Sequence, residues 1–227
     1  IVGNISKHFQ TWLQHPTLDS YWDRMSLSSS EYDRINIPIL TVTGHYDADQ
    51  PGAMTYYRLH TQSSSPSANQ HYLIIGPWDH MGTRTPNKEF GGLTFGEASL
   101  LDMNKLHKEW YDWTLKKGPQ PEFLKKRIAY YVMGAEEWKY SDTLESISNK
   151  KMRLYLNSVD GQANDVFRSG TIDSTLPSTA QPDEYVYDPL DTRRGDLQRE
   201  EVKDYLTDQR YALNLFDNGL VYHSQPF

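Results

Sequence analysis

The sequence predicts an α/β domain that is followed by a domain made only of β-strands. Residues 37–42 and 71–75 are apolar runs with branched side chains, as in the buried strands of a parallel sheet, and a helical pattern lies between them. After residue 126 the helical patterns stop, and short alternating segments separated by turn residues follow. A strand, a helix and a second strand indicate a βαβ unit, whereas short strands without helices are typical of a β-sandwich or jelly roll.

Composition and charge argue against several classes of protein. The chain has 227 residues, enough for one large or two modest domains, and its net charge of −7 argues against nucleic acid as a partner, since phosphate binding needs a basic surface. The absence of cysteine excludes disulfides and a cysteine nucleophile. No run of about eighteen apolar residues is present, so no membrane span is predicted. The chain starts with isoleucine and shows no signal-peptide pattern, so we expect a piece of a longer protein and leave its compartment open.

The first 35 residues predict a small helical segment. An apolar stripe at helical spacing runs along residues 5–14 and consists of Ile5, Phe9, Trp12 and Leu13. His15-Pro16 ends this helix, and residues 17–22 predict a second short helical or turn segment. We expect this piece to accompany another domain, because it is too short to stand alone.

Residues 36–126 predict the α/β domain. Its first helix begins at Pro51, since proline is favoured in the first turn of a helix, and the chain is expected to turn sharply at Gly76-Pro77 after the second strand. A second helix ends at Gly118-Pro119 and carries a longer apolar stripe formed by Leu100, Met103, Leu106, Trp110 and Trp113.

Residues 127–227 predict the β domain, and the boundary near residue 126 is the clearest in the chain. Alternating apolar residues indicate strands near residues 128–132 and 152–156. Further strand-like pieces lie at residues 185–187, 211–216 and 220–222.

Side chains suited to acid–base chemistry follow both strands of the predicted βαβ unit. Asp47 comes shortly after the first strand, and His80 comes shortly after the second. Because ligands bind beyond the carboxyl ends of parallel strands, we expect both side chains at one edge of the sheet. An aspartate that orients a histidine forms two members of a nucleophile–histidine–acid triad, although ordinary polar loop residues remain an alternative at this point.

A metal site is the other chemistry that these segments suggest. The available ligands are His71, Asp79, His80, Asp47 and Asp49. They show no ligand pair at an H-x-x-x-H or similar spacing, so we predict no metal and no other cofactor.

Several strings resemble the CocE/NonD family of serine hydrolases, which includes cocaine esterases, α-amino acid ester hydrolases, glutaryl acylase-like enzymes and the related X-Pro dipeptidyl-peptidases. The most specific string is Gly-Pro-Trp-Asp-His at residues 76–80, which is similar to the family's Gly-Pro-Trp-x-His around the base. Gly-His-Tyr-Asp at residues 44–47 is similar to the string around the acid. Other similar strings are His15-Pro16 with Tyr21-Trp22, Tyr131-Val132-Met133-Gly134 with Trp138, Tyr187-Asp188-Pro189, and Asp208-Gln209-Arg210.

The resemblance implies a fold and a set of site residues. The fold is the C-terminal part of an α/β hydrolase sheet with a cap remnant at residues 1–35, followed by an all-β jelly-roll sandwich domain that is incomplete. Asp47 is implied as the triad acid and His80 as the general base. Asp49, Gln50 and Tyr46 are implied as substrate-binding candidates. Acidic residues after the triad acid hold a substrate ammonium group in one branch of the family, although Asp49 also suits a solvated position before the helix that begins at Pro51. Gln50 departs from that pattern, since it is an amide. Tyr46 and Trp78 are expected to pack and to set the shapes of their loops.

The nucleophile is the missing part of this constellation. No serine of the chain lies in a G-x-S-x-G-like elbow, and the family order places the serine and the oxyanion hole before residue 1. We therefore expect the chain by itself to be inactive, with a missing N-terminal segment of the same protein as its partner and a small ester or amide as substrate. Homo-oligomerisation stays open. The alternative function is a non-catalytic β-sandwich module that binds carbohydrate or protein and retains Asp47 and His80 as vestiges.

Overall fold

The structure, a computed structural model, describes residues 3–148, 150–158, 160–165, 167–179, 181–193, 204, 206–207, 216 and 218–225. The helices in these ranges are α1 (Lys7–Leu13), α2 (Ser20–Asp23), α3 (Ser29–Tyr32), α4 (Gln50–Thr61) and α5 (Met103–Lys116). The strands are β1 (Ile39–Tyr46), β2 (His71–Asp79), β3 (Glu89–Phe90), β4 (Leu93–Thr94), β5 (Ile128–Val132), β6 (Glu137–Ser141), β7 (Tyr155–Asn157), β8 (Gly170–Asp173) and β9 (Tyr222–His223). Among the helices described, none has the length and apolar character needed to cross a bilayer.

A four-stranded sheet organises the first two-thirds of the chain. Its strand order is β1-β2-β5-β6, with β1 parallel to β2, β2 parallel to β5, and β5 antiparallel to β6. The helix α4 connects β1 to β2, which confirms the predicted βαβ unit. At one end of the sheet, β1 pairs only with β2 among the described strands, so its outer edge is open.

Helices pack against both faces of this sheet. Successive side chains of β2 point to opposite faces, so both faces have apolar side chains to bury. Ile74 and Trp78 point to the face that packs against Leu106 and Trp110 of α5. Leu73 and Ile75, together with Tyr57 of α4, form a separate cluster of buried residues. The result is a three-layer α/β/α arrangement with the apolar core on either side of β2.

The strand β2 is longer than the sequence pattern predicted. We expected a sharp turn at Gly76-Pro77, but the strand continues to Asp79, and this prediction was wrong. Pro77 is tolerated because β2 pairs with β5 only at residues 73–75, so the missing N–H falls beyond that pairing. Gly76 is required because the Trp78 ring lies against its backbone, where a Cβ would come within 2.1 Å of Trp78 Cε3.

The same sheet continues past residue 126, where the change in pattern predicted that a separate β domain begins. Ile128, Ala129 and Tyr130 of β5 pair with β2, and β6 extends the sheet further. The alternating pattern therefore predicted a real strand. Its pairing with β2 accompanies the complete burial of Ile128 and Ala129 in the core of the α/β domain. Whether a domain division follows elsewhere stays a prediction.

The last third of the chain contains a smaller sheet. The strands β7 and β8 are antiparallel, β8 and β9 are parallel, and β7 and β9 lie near predicted strands. Residues 185–187 do not form the predicted strand, since their side chains are exposed and no described strand pairs with them. Residues 208–210 and 211–215, which carried another predicted string and strand, lie outside the described residues.

The two predicted N-terminal helical segments form as α1 and α2, whereas α3 was not predicted, and the apolar stripe of α1 is not buried. Ser6 caps α1 by accepting a hydrogen bond from the Phe9 N–H, so local interactions stabilise the helix. The stripe that includes Phe9 and Trp12 remains largely exposed among the described residues. Helical spacing therefore predicted the helix, and the burial of its stripe is not part of what that spacing determines.

A buried histidine pair joins the segment before β1 to the sheet. His60 of α4 and His71 of β2 are both fully buried, with 3.0 Å between their Nδ1 atoms. His71 Nε2 lies 2.8 Å from the Thr41 hydroxyl, and His60 Nε2 lies 3.1 Å from the Ser65 hydroxyl. Ser65 in turn donates to the Ile35 carbonyl at 2.6 Å. His71 is thus a core residue and not part of a site with His80.

Candidate active site

The carboxyl ends of β1 and β2 bring Asp47 and His80 together. The strands are in register as far as Gly44 and Gly76, and a bulge follows before Tyr46 pairs with Asp79. His80 Nδ1 lies 3.0 Å from Asp47 Oδ1. The two side chains that the sequence placed at one sheet edge are therefore hydrogen-bonded, while their catalytic role stays a prediction.

Close approach of the two strands explains Gly44 in the string before the acid. A Cβ at this position would lie 2.0 Å from the carbonyl oxygen of Trp78. Only glycine allows the bulge to bring the backbone of β1 so near to that of β2. The position of Asp47 relative to His80 therefore depends on this residue.

The Asp47 carboxylate is almost completely buried and is held by three donors. Its Oδ1 accepts from the backbone N–H of Asp49 at 3.0 Å and lies against His80, and its Oδ2 accepts from the Thr43 hydroxyl at 3.1 Å. Burial raises the pKa of this carboxyl, but the hydrogen bonds from Asp49, His80 and Thr43 outweigh burial and hold the pKa below its usual value. Asp47 is therefore a carboxylate at neutral pH, as the orienting acid of a triad must be.

The three predicted substrate-binding residues surround this pair in different ways. Asp49 Oδ2 lies 3.4 Å from His80 Nδ1, and the Asp49 side chain is 78% exposed. Gln50 donates from Nε2 to the Gly44 carbonyl at 2.9 Å, so its amide supports the bulge. The Tyr46 hydroxyl contacts Met133 Sδ at 3.6 Å, and its ring packs against Phe90. Their role towards a substrate stays a prediction.

His80 opens onto a cleft of about 670 Å³ that lies over the free edge of β1. Its side chain is 47% exposed, in contrast to the 4% of Asp47. Leu40 and Val42 of β1 line the cleft between Ala53 of α4 and His107 of α5. The other described residues that line it are Asp47, Ala48, Asp49, Gly52, His80, Thr83 and Arg84, and no serine is among the described lining residues.

Neighbouring residues that the sequence singled out have structural contacts. Trp78 is fully buried and donates from Nε1 to the Ser99 carbonyl at 3.0 Å, which fits the packing role expected for it. The Asp79 carboxylate accepts from the Gly82 N–H at 2.8 Å and so stabilises the turn after His80. His107 is exposed on α5 and borders the cleft.

Asp47, Asp49 and His80 place their ligand atoms within 4.8 Å of one another, a spacing that could accommodate a metal ion. Asp47 Oδ1 already accepts the Asp49 N–H and contacts His80 Nδ1, so an ion there would displace existing hydrogen bonds. The geometry favours an acid–histidine pair over a cation site.

Sequence reasoning missed Thr43. Its hydroxyl is fully buried and contacts the candidate acid, yet the residue was treated only as part of an apolar strand. A threonine inside a buried strand, four residues before the acid, is the signal that could have indicated it.

Comparison with known proteins shows which proteins this chain is similar to. Residues 2–82 match the family described as X-Pro dipeptidyl-peptidase (S15 family). The chain is 25% identical to cocaine esterase of Rhodococcus sp. (strain MB1 Bresler) over 184 residues, which are 79% of this chain and 30% of the esterase. The chain thus spans less than a third of that relative.

Solved structures show the same fold. An aminopeptidase from the marine sediment archaeon Thaumarchaeota archaeon superposes with a TM-score of 0.60 at 23% identity, over 81% of this chain and 28% of the aminopeptidase. An α-amino acid ester hydrolase superposes with a TM-score of 0.61 at 20% identity, over 81% of this chain and 30% of the hydrolase. The resemblance to the CocE/NonD and X-Pro dipeptidyl-peptidase group is confirmed, and the sheet with its helices is an α/β hydrolase-like domain.

Proposed function

We propose that this chain, as a relative of the CocE/NonD and S15 hydrolases, supplies the acid and the base of a serine hydrolase that cleaves an ester or amide bond. Asp47 is the acid, His80 is the base, and the nucleophilic serine belongs to an N-terminal part of the same protein. The observation that carries the proposal is the 3.0 Å contact between His80 Nδ1 and the buried Asp47 carboxylate.

This contact gives His80 the arrangement that a general base needs. With the proton on Nδ1 donated to Asp47, His80 Nε2 is the basic nitrogen, and it has no hydrogen-bond partner among the described residues. His80 would take the serine proton as the serine attacks the carbonyl carbon, and then return that proton to the leaving group. It would next activate a water molecule that hydrolyses the acyl-serine. The Asp47 carboxylate stabilises the imidazolium that forms in each step.

The open edge of β1 supports an origin of the serine outside this chain. An apolar parallel strand normally has neighbours on both sides, but β1 has one among the described strands. The cleft over its free edge contains His80, so a further strand paired with β1 would carry its own carboxyl-end loop towards this histidine. A nucleophile elbow in that loop would complete the triad.

For the substrate, we propose only which residues would contact it. Asp49 is the exposed carboxylate beside His80, so it is the residue best able to pair with a substrate ammonium group. Gln50 and Tyr46 would act by shaping the site, since Gln50 holds the Gly44 carbonyl and Tyr46 packs on Phe90. The strands β7, β8 and β9 would belong to the jelly-roll domain.

Labelling with a fluorophosphonate probe tests the proposal, because the probe reacts with an activated serine. We expect no labelling of the 227-residue chain and clear labelling of the longer protein that contains it. His80→Ala should abolish labelling of the longer protein, whereas His8→Ala on the exposed surface of α1 should leave it unchanged. Labelling that survives His80→Ala would refute the base assignment. An upstream sequence without a serine elbow would favour a binding module.

A further inference from the structure

The buried hydroxyl of Thr43 is unexpected on packing grounds. Thr43 lies in an apolar strand and is fully buried, and valine would fill the same volume. A buried hydroxyl costs free energy unless it forms a hydrogen bond. The Thr43 hydroxyl donates a hydrogen bond to Asp47 Oδ2. What threonine adds to this site beyond valine is therefore that single hydrogen bond.

The hydrogen bond from Thr43 and the other two contacts of the Asp47 carboxylate involve different oxygen atoms. The Asp49 N–H and His80 Nδ1 both meet Oδ1, whereas Thr43 holds Oδ2. A carboxylate fixed through one oxygen can still rotate about the bond that joins it to Cβ. The second oxygen must be held to set the plane of the carboxylate, and hence the direction of the Oδ1 lone pairs towards His80.

We propose that Thr43 is a positioning residue whose hydroxyl fixes the plane of the Asp47 carboxylate and thereby holds His80 in its Nδ1–H tautomer. The catalytic meaning of this role rests on the proposed function, but the effect on the imidazole exists in this chain by itself. Asp49 Oδ2 lies 3.4 Å from the same nitrogen as an ion-pair contact, so Asp49 is the competing carboxylate for this proton. The exposed Asp49 side chain lacks the fixed geometry that Thr43 gives to Asp47.

Nitrogen-15 NMR of the histidine rings tests the inference in the 227-residue chain, at about pH 9, where an ordinary imidazole is neutral. In Thr43→Val we expect the ratio of Nδ1–H to Nε2–H tautomer at His80 to fall about tenfold, the factor for a hydrogen bond of about 1.4 kcal/mol. Thr43→Ser keeps the hydroxyl and should restore the ratio. The same comparison in an Asp49→Ala background removes the competing carboxylate altogether. An unchanged ratio in both backgrounds would overturn the proposal.

Thr41→Val is the matched control, because it removes a hydroxyl from the same strand two residues earlier. The Thr41 hydroxyl contacts His71 and not Asp47, so this variant should lose stability without altering the His80 tautomer. If Thr41→Val altered that tautomer equally, general damage to β1 would explain the result and the proposal would fail. Should Thr43→Val not fold, Thr43→Ala and Thr43→Ser form a second pair that tests the hydroxyl.

The longer protein provides a separate functional measurement. Fluorophosphonate labelling should be about tenfold slower in Thr43→Val and close to the unsubstituted rate in Thr43→Ser. A changed tautomer without any labelling of the longer protein would support the positioning role and refute the serine hydrolase. An unchanged tautomer ratio together with normal labelling would refute the positioning role and support the serine hydrolase.

Discussion

Acid should destabilise this protein well before its carboxylates are protonated, because the core contains the His60–His71 pair. Burial, together with the neighbouring His60, lowers the pKa of His71 from 6.5 to about 3, and burial also lowers the pKa of His60. Both rings are fully buried and hydrogen-bonded to each other. The folded state therefore favours two neutral imidazoles, while the unfolded chain accepts protons below pH 6.5.

The magnitude follows from this difference in proton binding. Between pH 6.5 and pH 3 the unfolded state binds more protons than the folded state. For one histidine, the free energy of unfolding therefore decreases by about 1.4 kcal/mol for each unit by which the pH is lowered. Counting one proton for the coupled pair, the expected loss is about 3 kcal/mol between pH 6.5 and pH 4.5. The full contribution is about 5 kcal/mol and is present above pH 6.5. Asp47, whose pKa is lowered, adds its own loss only as the pH approaches the usual aspartate value of 3.8.

Urea unfolding followed by tryptophan fluorescence at several pH values between 7.5 and 4.5 measures this slope. The double substitution His60→Gln with His71→Gln removes both titrating groups and retains amides that can form hydrogen bonds, so the slope should flatten. His8→Gln changes an exposed histidine and should keep the original slope. A stability of the unsubstituted chain that stays constant from pH 6.5 to pH 4.5 would refute the reasoning.

Three further measurements test the arrangement of the sheet. Gly44→Ala should prevent native folding or strongly lower the melting temperature, since its Cβ would overlap the Trp78 carbonyl, whereas Gly52→Ala meets no atom within 4 Å and should be tolerated. Ile74→Ala should lower the free energy of unfolding by about 2 to 5 kcal/mol, because it leaves a cavity against α5; a smaller loss would mean that the core is less tightly packed than the structure indicates. In hydrogen exchange, outward-facing amides of β1 should exchange much faster than the amides of β2, and equal protection would indicate that another strand covers β1.

The sequence by itself determined the local elements and the most specific part of the site. Branched apolar runs indicated β1 and β2, and the residues after these strands identified Asp47 and His80 as neighbours. This succeeded because parallel strands in a βαβ unit must end at the same edge, whatever the rest of the fold contains. The resemblance, to which residues 76–80 contributed most, was confirmed by the comparisons with known proteins.

Only the tertiary structure decided how these elements pair and what surrounds the acid. The alternation at residues 128–132 indicates a strand, but period-two patterning does not tell which sheet the strand joins. Burial of Ile128 and Ala129 between α/β neighbours settled that pairing. In the same way, Thr43 has the sequence signature of any strand residue, and its contact with Asp47 exists because the bulge after Gly44 turns Asp47 back towards it. Hydrogen bonds between residues on a bent strand depend on the bend, which no local pattern encodes.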